Sequence, residues 1–130
     1  METRKHFRKR DAILSCVRST DVHPSADWVF DQVRKEIPDI SLATVYRNLA
    51  LFKQQGLIAS VATVRGVERF DGNTDPHVHF ICQNCDAVID LPQLSVPHSL
   101  SAQAAHHIGG TVDVCQLSFT GICYHCCQNH

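Results

Sequence analysis

The chain has 130 residues, 44% of them hydrophobic and 19% charged, with a net charge of -1, enough for one domain or two small ones. It holds no run of about 18 apolar residues, which excludes a membrane-spanning helix, and its start, Met1-Glu-Thr-Arg-Lys-His-Phe7, lacks the apolar stretch of a secretory signal. A cytoplasmic protein is expected, in which seven cysteines read as metal ligands or thiols rather than as a disulfide framework.

The near-neutral total conceals a split. All 12 Lys and Arg lie between Arg4 and Arg69. Residues 1–70 carry 12 basic and 8 acidic side chains, a balance of +4, and residues 71–130 carry no basic and 5 acidic ones, a balance of -5. A basic first half suits a polyanion such as DNA, and an acidic second half suits bound cations. An ordinary solvated surface is the competing explanation.

Residues of about 4–18 read as a helix with Phe7, Ile13, Leu14 and Val17 on one side. His23-Pro24-Ser25 breaks the chain, and Pro24 suits the first position of the next helix, where a missing N–H costs nothing. Ala26, Val29, Phe30, Val33 and Ile37 then recur at helical spacing until Pro38-Asp39. Ser41 is a credible N-cap for a third helix. Leu42, Val45, Leu49 and Phe52 form its buried stripe, and Gly56 is placed to end it.

The other face of that third helix carries Ala43, Thr44, Tyr46, Arg47, Asn48 and Lys53. Donors, a ring and a cation on one helical face suit a DNA major groove, and the preceding helix and short turn support that placement. The plainer alternative is an amphipathic helix with a solvated face. Residues 58–64 and 67–71 are β-prone around a tight Arg65-Gly66 turn. A hairpin in that place reads as a wing, with Arg65 and Arg69 available to phosphates. Asp71-Gly-Asn-Thr-Asp-Pro76 is the most turn-rich stretch, so residues 1–72 and 73–130 are expected to form separate domains.

In the second half a strand is expected at about 77–82, a second at 86–91, a helix at 98–107 ended by Gly109-Gly110, and a strand over 111–119. Two Cys-x-x-Cys pairs, Cys82/Cys85 and Cys123/Cys126, stand 37 residues apart, since 123 - 85 - 1 = 37. Four thiolates suit a closed tetrahedral structural zinc. A redox pair is the main competitor, and the βαβ context it needs is missing. Cys16 and Cys127 read as spare thiols.

His77 and His79 lie just upstream. Strand alternation turns them to one face and Cys82 to the other, so imidazoles and thiolate should not share an ion. Two metal sites of different hardness are therefore expected. The harder one draws on His23, Asp71, His77, His79 and Asp90, a nitrogen/oxygen set that suits Fe(II), Mn(II) or zinc. Singly, each has a dull explanation: a helix cap for His23, a turn former for Asp71, a solvated carboxylate for Asp90. His98, His106, His107, His125 and His130 read as surface or packing residues.

His23-Pro-Ser-Ala-Asp, Ser41-Leu-Ala-Thr-Val-Tyr-Arg-Asn-Leu49, Arg69-Phe-Asp71, His77-Val-His-Phe-Ile-Cys-Gln-Asn-Cys85 and Gly121-Ile-Cys-Tyr-His-Cys126, in this order and spacing, resemble the ferric uptake regulator family. The resemblance implies an α+β protein: an N-terminal winged helix-turn-helix DNA-binding domain plus a C-terminal α/β dimerisation domain. It implies a homodimeric, metal-dependent transcriptional repressor on double-stranded operator DNA, with contacts from Ser41, Thr44, Tyr46, Arg47, Asn48 and Arg65. A structural zinc on Cys82, Cys85, Cys123 and Cys126 and a regulatory Fe(II) or Mn(II) on His23, Asp71, His77, His79 and Asp90 follow from it. Aspartate at both regulatory carboxylates resembles the peroxide-sensing branch, since iron-responsive members tend to carry Glu at the second and zinc-responsive ones a Cys in the site. In that branch Fe(II) and peroxide convert His23 and His77 to 2-oxo-histidine, and the damaged site releases its metal. Members often have a His near Cys115, and Val78 replaces a polar residue some use, which counts against a third metal site.

Two other readings stand beside this one. A regulator of the same family could sense iron, manganese or zinc availability without peroxide chemistry. A zinc-dependent hydrolase could use the His/Asp set, but carboxylates committed as ligands leave it no evident general base. Neither an enzyme nor a membrane partner is expected, and peroxide is the one small molecule expected, as a signal.

Overall fold

The computed structural model describes residues 4–74 and 78–128, in two compact units, Met1–Thr74 and Asp75–His130. The first holds α1 (Arg4–Arg18), α2 (Ala26–Val33), α3 (Leu42–Gln54), β1 (Ala59–Val64) and β2 (Val67–Asp71). Its core is built from the expected stripes. Ile13 and Val17 of α1 meet Val29 and Val33 of α2 and Val45, Leu49 and Phe52 of α3, with Ile37, Ile40, Ile58 and Phe70 closing the edges. Three packed helices and a following hairpin make a winged helix-turn-helix.

Local chemistry sets most boundaries. Ser25, not Pro24, begins α2: its Oγ accepts from the Trp28 N–H at 3.1 Å, a bond proline has no group to make. Pro24 therefore lies outside the helix, a correction to its expected place. The helix also stops at Val33 rather than Ile37. Pro38 disfavours helical geometry at Ile37, and the chain closes with Glu36 and Ile37 N–H both donating to the Val33 carbonyl at 3.0 and 2.9 Å. Ile37 still reaches the core.

Ser41 caps α3 as expected, its Oγ accepting from the Thr44 N–H at 3.1 Å. Gly56, at φ 76, ends it in a paired motif: Gly56 N–H donates to Lys53 O at 3.1 Å and Leu57 N–H to Phe52 O at 2.9 Å. Leu42 departs from the expected stripe and is 38% exposed. Helical geometry puts it about 60° round the axis from Val45, at the rim of the buried face. β1 and β2 pair antiparallel with an irregularity between Ser60 and Ala62. Arg65 and Gly66, at φ 51 and 80, form the tight turn whose twist matches a two-residue hairpin.

The second unit is a three-stranded sheet in the order β4-β3-β5, from β3 (Val78–Cys82), β4 (Val88–Leu91) and β5 (Ser118–Gly121), with helices α4 (His98–Ile108) and α5 (Tyr124–Gln128). β4 runs antiparallel to β3 and β5 parallel to it. Gly109, left-handed at φ 67, ends α4. The strand expected over 111–119 forms only from Ser118. Parallel register puts Ser118 beside His79, so among the described residues the stretch before it has almost no length of β3 to pair with. α5 has no counterpart among the elements expected from the sequence. Among the described residues no helix is long and apolar enough to cross a membrane.

Candidate metal centres and nucleic-acid face

At the end of β3 the chain turns back on itself. Cys82 N–H donates to Ala87 O at 2.9 Å and Asp86 N–H to Cys82 O at 3.0 Å, with Asp86 left-handed at φ 63. The turn and the segment after β5 aim backbone donors at one sulfur: the N–H groups of Asn84, Cys85 and Cys123 lie 3.4, 3.5 and 3.4 Å from Cys82 Sγ. Led by the Cys123 N–H, these bonds outweigh burial and pull the Cys82 thiol down to about 6. At Cys126 the hydrogen bond with Asn84 lowers the pKa, yet burial and the neighbouring thiols win and push it up to about 12.

The four sulfurs of Cys82, Cys85, Cys123 and Cys126 all lie within 4.8 Å of one another. Cys82 to Cys126 is 3.8 Å and Cys85 to Cys123 is 3.9 Å. A tetrahedron of thiolates around zinc at about 2.3 Å has edges of about 3.8 Å, whereas a disulfide needs about 2.05 Å. The donor set and the spacing fit a tetrahedral zinc. It would be held by β3 and its turn on one side and by Cys123 and α5 on the other.

The nitrogen/oxygen candidates form a pair in each unit. In the first, His23 Nε2 stands 3.3 Å from Asp71 Oδ2, and both residues are buried. Asp71 does act as a turn former, its Oδ1 accepting from the Asn73 N–H at 2.9 Å, but the other oxygen faces the imidazole. His23 is not a helix cap, since Ser25 fills that role. Its backbone is left-handed at φ 55, a conformation that costs a non-glycine residue about 1–2 kcal/mol. β2 holds it there. Arg69 Nε donates to the His23 carbonyl, Arg69 Nη2 to Val22 O at 2.7 Å, and Phe70 N–H to Pro24 O at 2.9 Å. Gly72 lets the chain pass Arg18, whose Cα would lie 2.7 Å from a Cβ at that position.

In the second unit, His79 and Asp90 are partners across the β3–β4 ladder, with Nε2 and Oδ1 3.2 Å apart. On the same strand Cys82 belongs to the sulfur cluster, so the two donor types are sorted as strand alternation requires. His77 lies outside the described residues.

On the first unit, the expected nucleic-acid residues gather on α3 and at the hairpin turn. Arg47 and Tyr46 are exposed; Arg47 reaches Thr44 Oγ1 at 3.4 Å and the Tyr46 hydroxyl lies 3.5 Å from Asp27. Asn48 turns its amide back to Thr44 O at 2.8 Å, and the Ser41 and Thr44 hydroxyls meet at 2.8 Å. Arg65 is exposed at the turn. Lys53 is paired with Glu68 at 2.9 Å, and its hydrogen bond holds the Glu68 carboxyl below its ordinary value. Arg69, expected at phosphates, instead clamps the His23 loop. The signal that would have found this is period two, which puts Arg69 on the same face of β2 as Asp71.

The sequence profile of the Ferric uptake regulator family matches residues 2–120. The peroxide operon regulator of Bacillus subtilis (strain 168) is 35% identical over 126 residues, covering 94% of this chain and 85% of that one. The peroxide-responsive repressor PerR of Staphylococcus aureus (strain USA300) is 33% identical over 125 residues, 91% and 79% of the two chains. The crystal structure of a Campylobacter jejuni peroxide stress regulator has the same fold, with a TM-score of 0.77 at 27% identity over 94% of this chain and 91% of that one.

Proposed function

Because the chain belongs to the ferric uptake regulator family, we propose that it is a metal-dependent transcriptional repressor that binds operator DNA as a homodimer and senses peroxide. The observation that carries this reading is the separation of donors. Sulfur gathers in one closed cluster, while imidazole and aspartate meet in two pairs, His23/Asp71 and His79/Asp90.

The regulatory ligands in this reading are His23, Asp71, His77, His79 and Asp90. Two carboxylates neutralise a divalent ion, and three neutral imidazoles complete a set suited to Fe(II) or Mn(II). Bound Fe(II) would supply the electron that reduces peroxide, and Mn(II) would hold the same ligands while reacting little. His23 and His77 are the residues oxidised, and each then donates poorly. Ligands drawn from both units make the DNA-competent arrangement depend on the ion, so its release lets the operator go. Cys82, Cys85, Cys123 and Cys126 hold zinc throughout.

Ser41, Thr44, Tyr46, Arg47 and Asn48 would face the major groove, with Arg65 on the backbone beside it. The balance of +4 over residues 1–70 favours that contact. The dimer is supported by α4, an 11-residue helix with no buried residue. Its Leu100 and Ile108, like Phe119 of β5, are exposed, and a helix this short holds its shape through packing. A second copy of this chain would supply it. The protein would act in the cytoplasm, as a regulator rather than a hydrolase: relatives of similar sequence are regulators, and both aspartates would be taken up as ligands.

The test pairs metal analysis of the protein from cells with capture of duplexes from a genomic fragment library, before and after peroxide. Peroxide should abolish capture by the iron-loaded protein and add the mass of one oxygen to His23 or His77. Metal-dependent capture with no oxygen gained would instead mark a sensor of metal availability.

A further inference from the structure

We infer that Arg69 is a positioning residue for His23, holding the Val22–Pro24 loop on the wing strand so that the imidazole is presented to the regulatory ion. The inference rests on the reading of His23 and Asp71 as regulatory ligands. Consecutive residues of β2 bond to consecutive residues of the loop. Arg69 Nη2 donates to Val22 O at 2.7 Å, Arg69 Nε to His23 O and Phe70 N–H to Pro24 O at 2.9 Å. The next residue, Asp71, meets the His23 ring at 3.3 Å. One strand thus fixes both the backbone and the ring of the ligand it stands beside.

The geometry needs arginine. Two neighbouring carbonyls are engaged by two nitrogens of one planar guanidinium, and a lysine ammonium, a point charge on a flexible stem, does not reproduce that fork. The clamp also opposes the left-handed strain at His23, φ 55. Without it the loop has reason to relax towards conformations that turn the imidazole away from Asp71. A ligand orienter of this kind typically governs metal affinity by about 10–100-fold.

The experiment is Mn(II) titration of the zinc-loaded full chain, read by loss of the free-ion electron paramagnetic resonance signal. It compares the wild type with Arg69→Ala, Arg69→Lys, His23→Ala and the His23→Ala/Arg69→Ala double variant. Arg69→Ala should weaken Mn(II) binding by about 10–100-fold, with Arg69→Lys between it and the wild type. The double variant should bind no more weakly than His23→Ala alone, because the arginine acts through that histidine. Wild-type affinity in Arg69→Ala, or an equal loss in both backgrounds, overturns the inference. If Arg69→Ala does not fold, a folded Arg69→Lys that binds as the wild type does overturns it equally. If His23→Ala itself binds Mn(II) normally, the reading of His23 as a ligand falls, and this inference with it.

Discussion

His79 on β3 and Asp90 on β4 face each other across an antiparallel ladder, their Nε2 and Oδ1 atoms 3.2 Å apart. Strand register alone sets this pair, because directly opposed side chains on one face of a sheet stand within reach of each other. The sulfur cluster uses the end of the same strand but none of the same atoms. Asp90→Ala should therefore lower Mn(II) affinity by more than the roughly 10–100-fold typical of an outer partner, with zinc content unchanged. Metal analysis beside Mn(II) titration checks this, and joint loss of both metals would dissolve the division into two sites.

Cys85→Ser should remove zinc and unfold the second unit. A structural zinc is worth on the order of 10 kcal/mol in small domains, and this unit has a thin core, with Val78, Cys82, Val88 and Cys126 its buried apolar residues among those described. Thermal melting with zinc analysis is the measurement. A melting curve like the wild type's, with zinc absent, would contradict the assignment.

Arg47→Ala should weaken operator binding by roughly 1–3 kcal/mol if the side chain reads a base, and Arg65→Ala should lower the salt slope by about one unit with little change in sequence preference. Binding isotherms over a range of salt concentrations separate the two effects. Unaltered affinity and slope in both would take α3 and the hairpin turn off the DNA.

Gly72→Ala should destabilise the first unit by about 1–3 kcal/mol, since its Cβ would meet the Arg18 backbone at 2.7 Å and neither segment can yield cheaply. Gly110→Ala is the control, because its nearest atoms are Ile108 side-chain carbons at 3.6 and 3.7 Å. That change should stay within about 0.5 kcal/mol. Urea denaturation measures both.

Features encoded by a few adjacent residues were legible from the chain alone. Ser41 declares a cap because its hydroxyl reaches the next turn, Gly56 a helix end because left-handed backbone favours it, and Arg65-Gly66 a hairpin through its two residues. The paired cysteines declared zinc by spacing. Features that depend on a distant partner were not legible. β5 begins where register with β3 begins, at Ser118, and β-prone residues before it find no strand. Arg69 looks like any basic wing residue until the Val22 and His23 carbonyls arrive beside it. The ends of α2 were misplaced because Pro24 and Pro38 act through their neighbours, shifting the cap to Ser25 and stopping the helix before Ile37.

The two halves of the sulfur cage also impose an order in time. Cys82 and Cys85 leave the ribosome first, and 37 further residues, 123 - 85 - 1, must follow before Cys123 appears. At ordinary elongation speeds this is a wait of roughly two to eight seconds. During that interval a half-built thiol pair is exposed to oxidants and to competing soft ions. The cage is thus most exposed to oxidants while the chain is still being made, and newly synthesised chains, rather than finished ones, should be the first casualties of an oxidative burst.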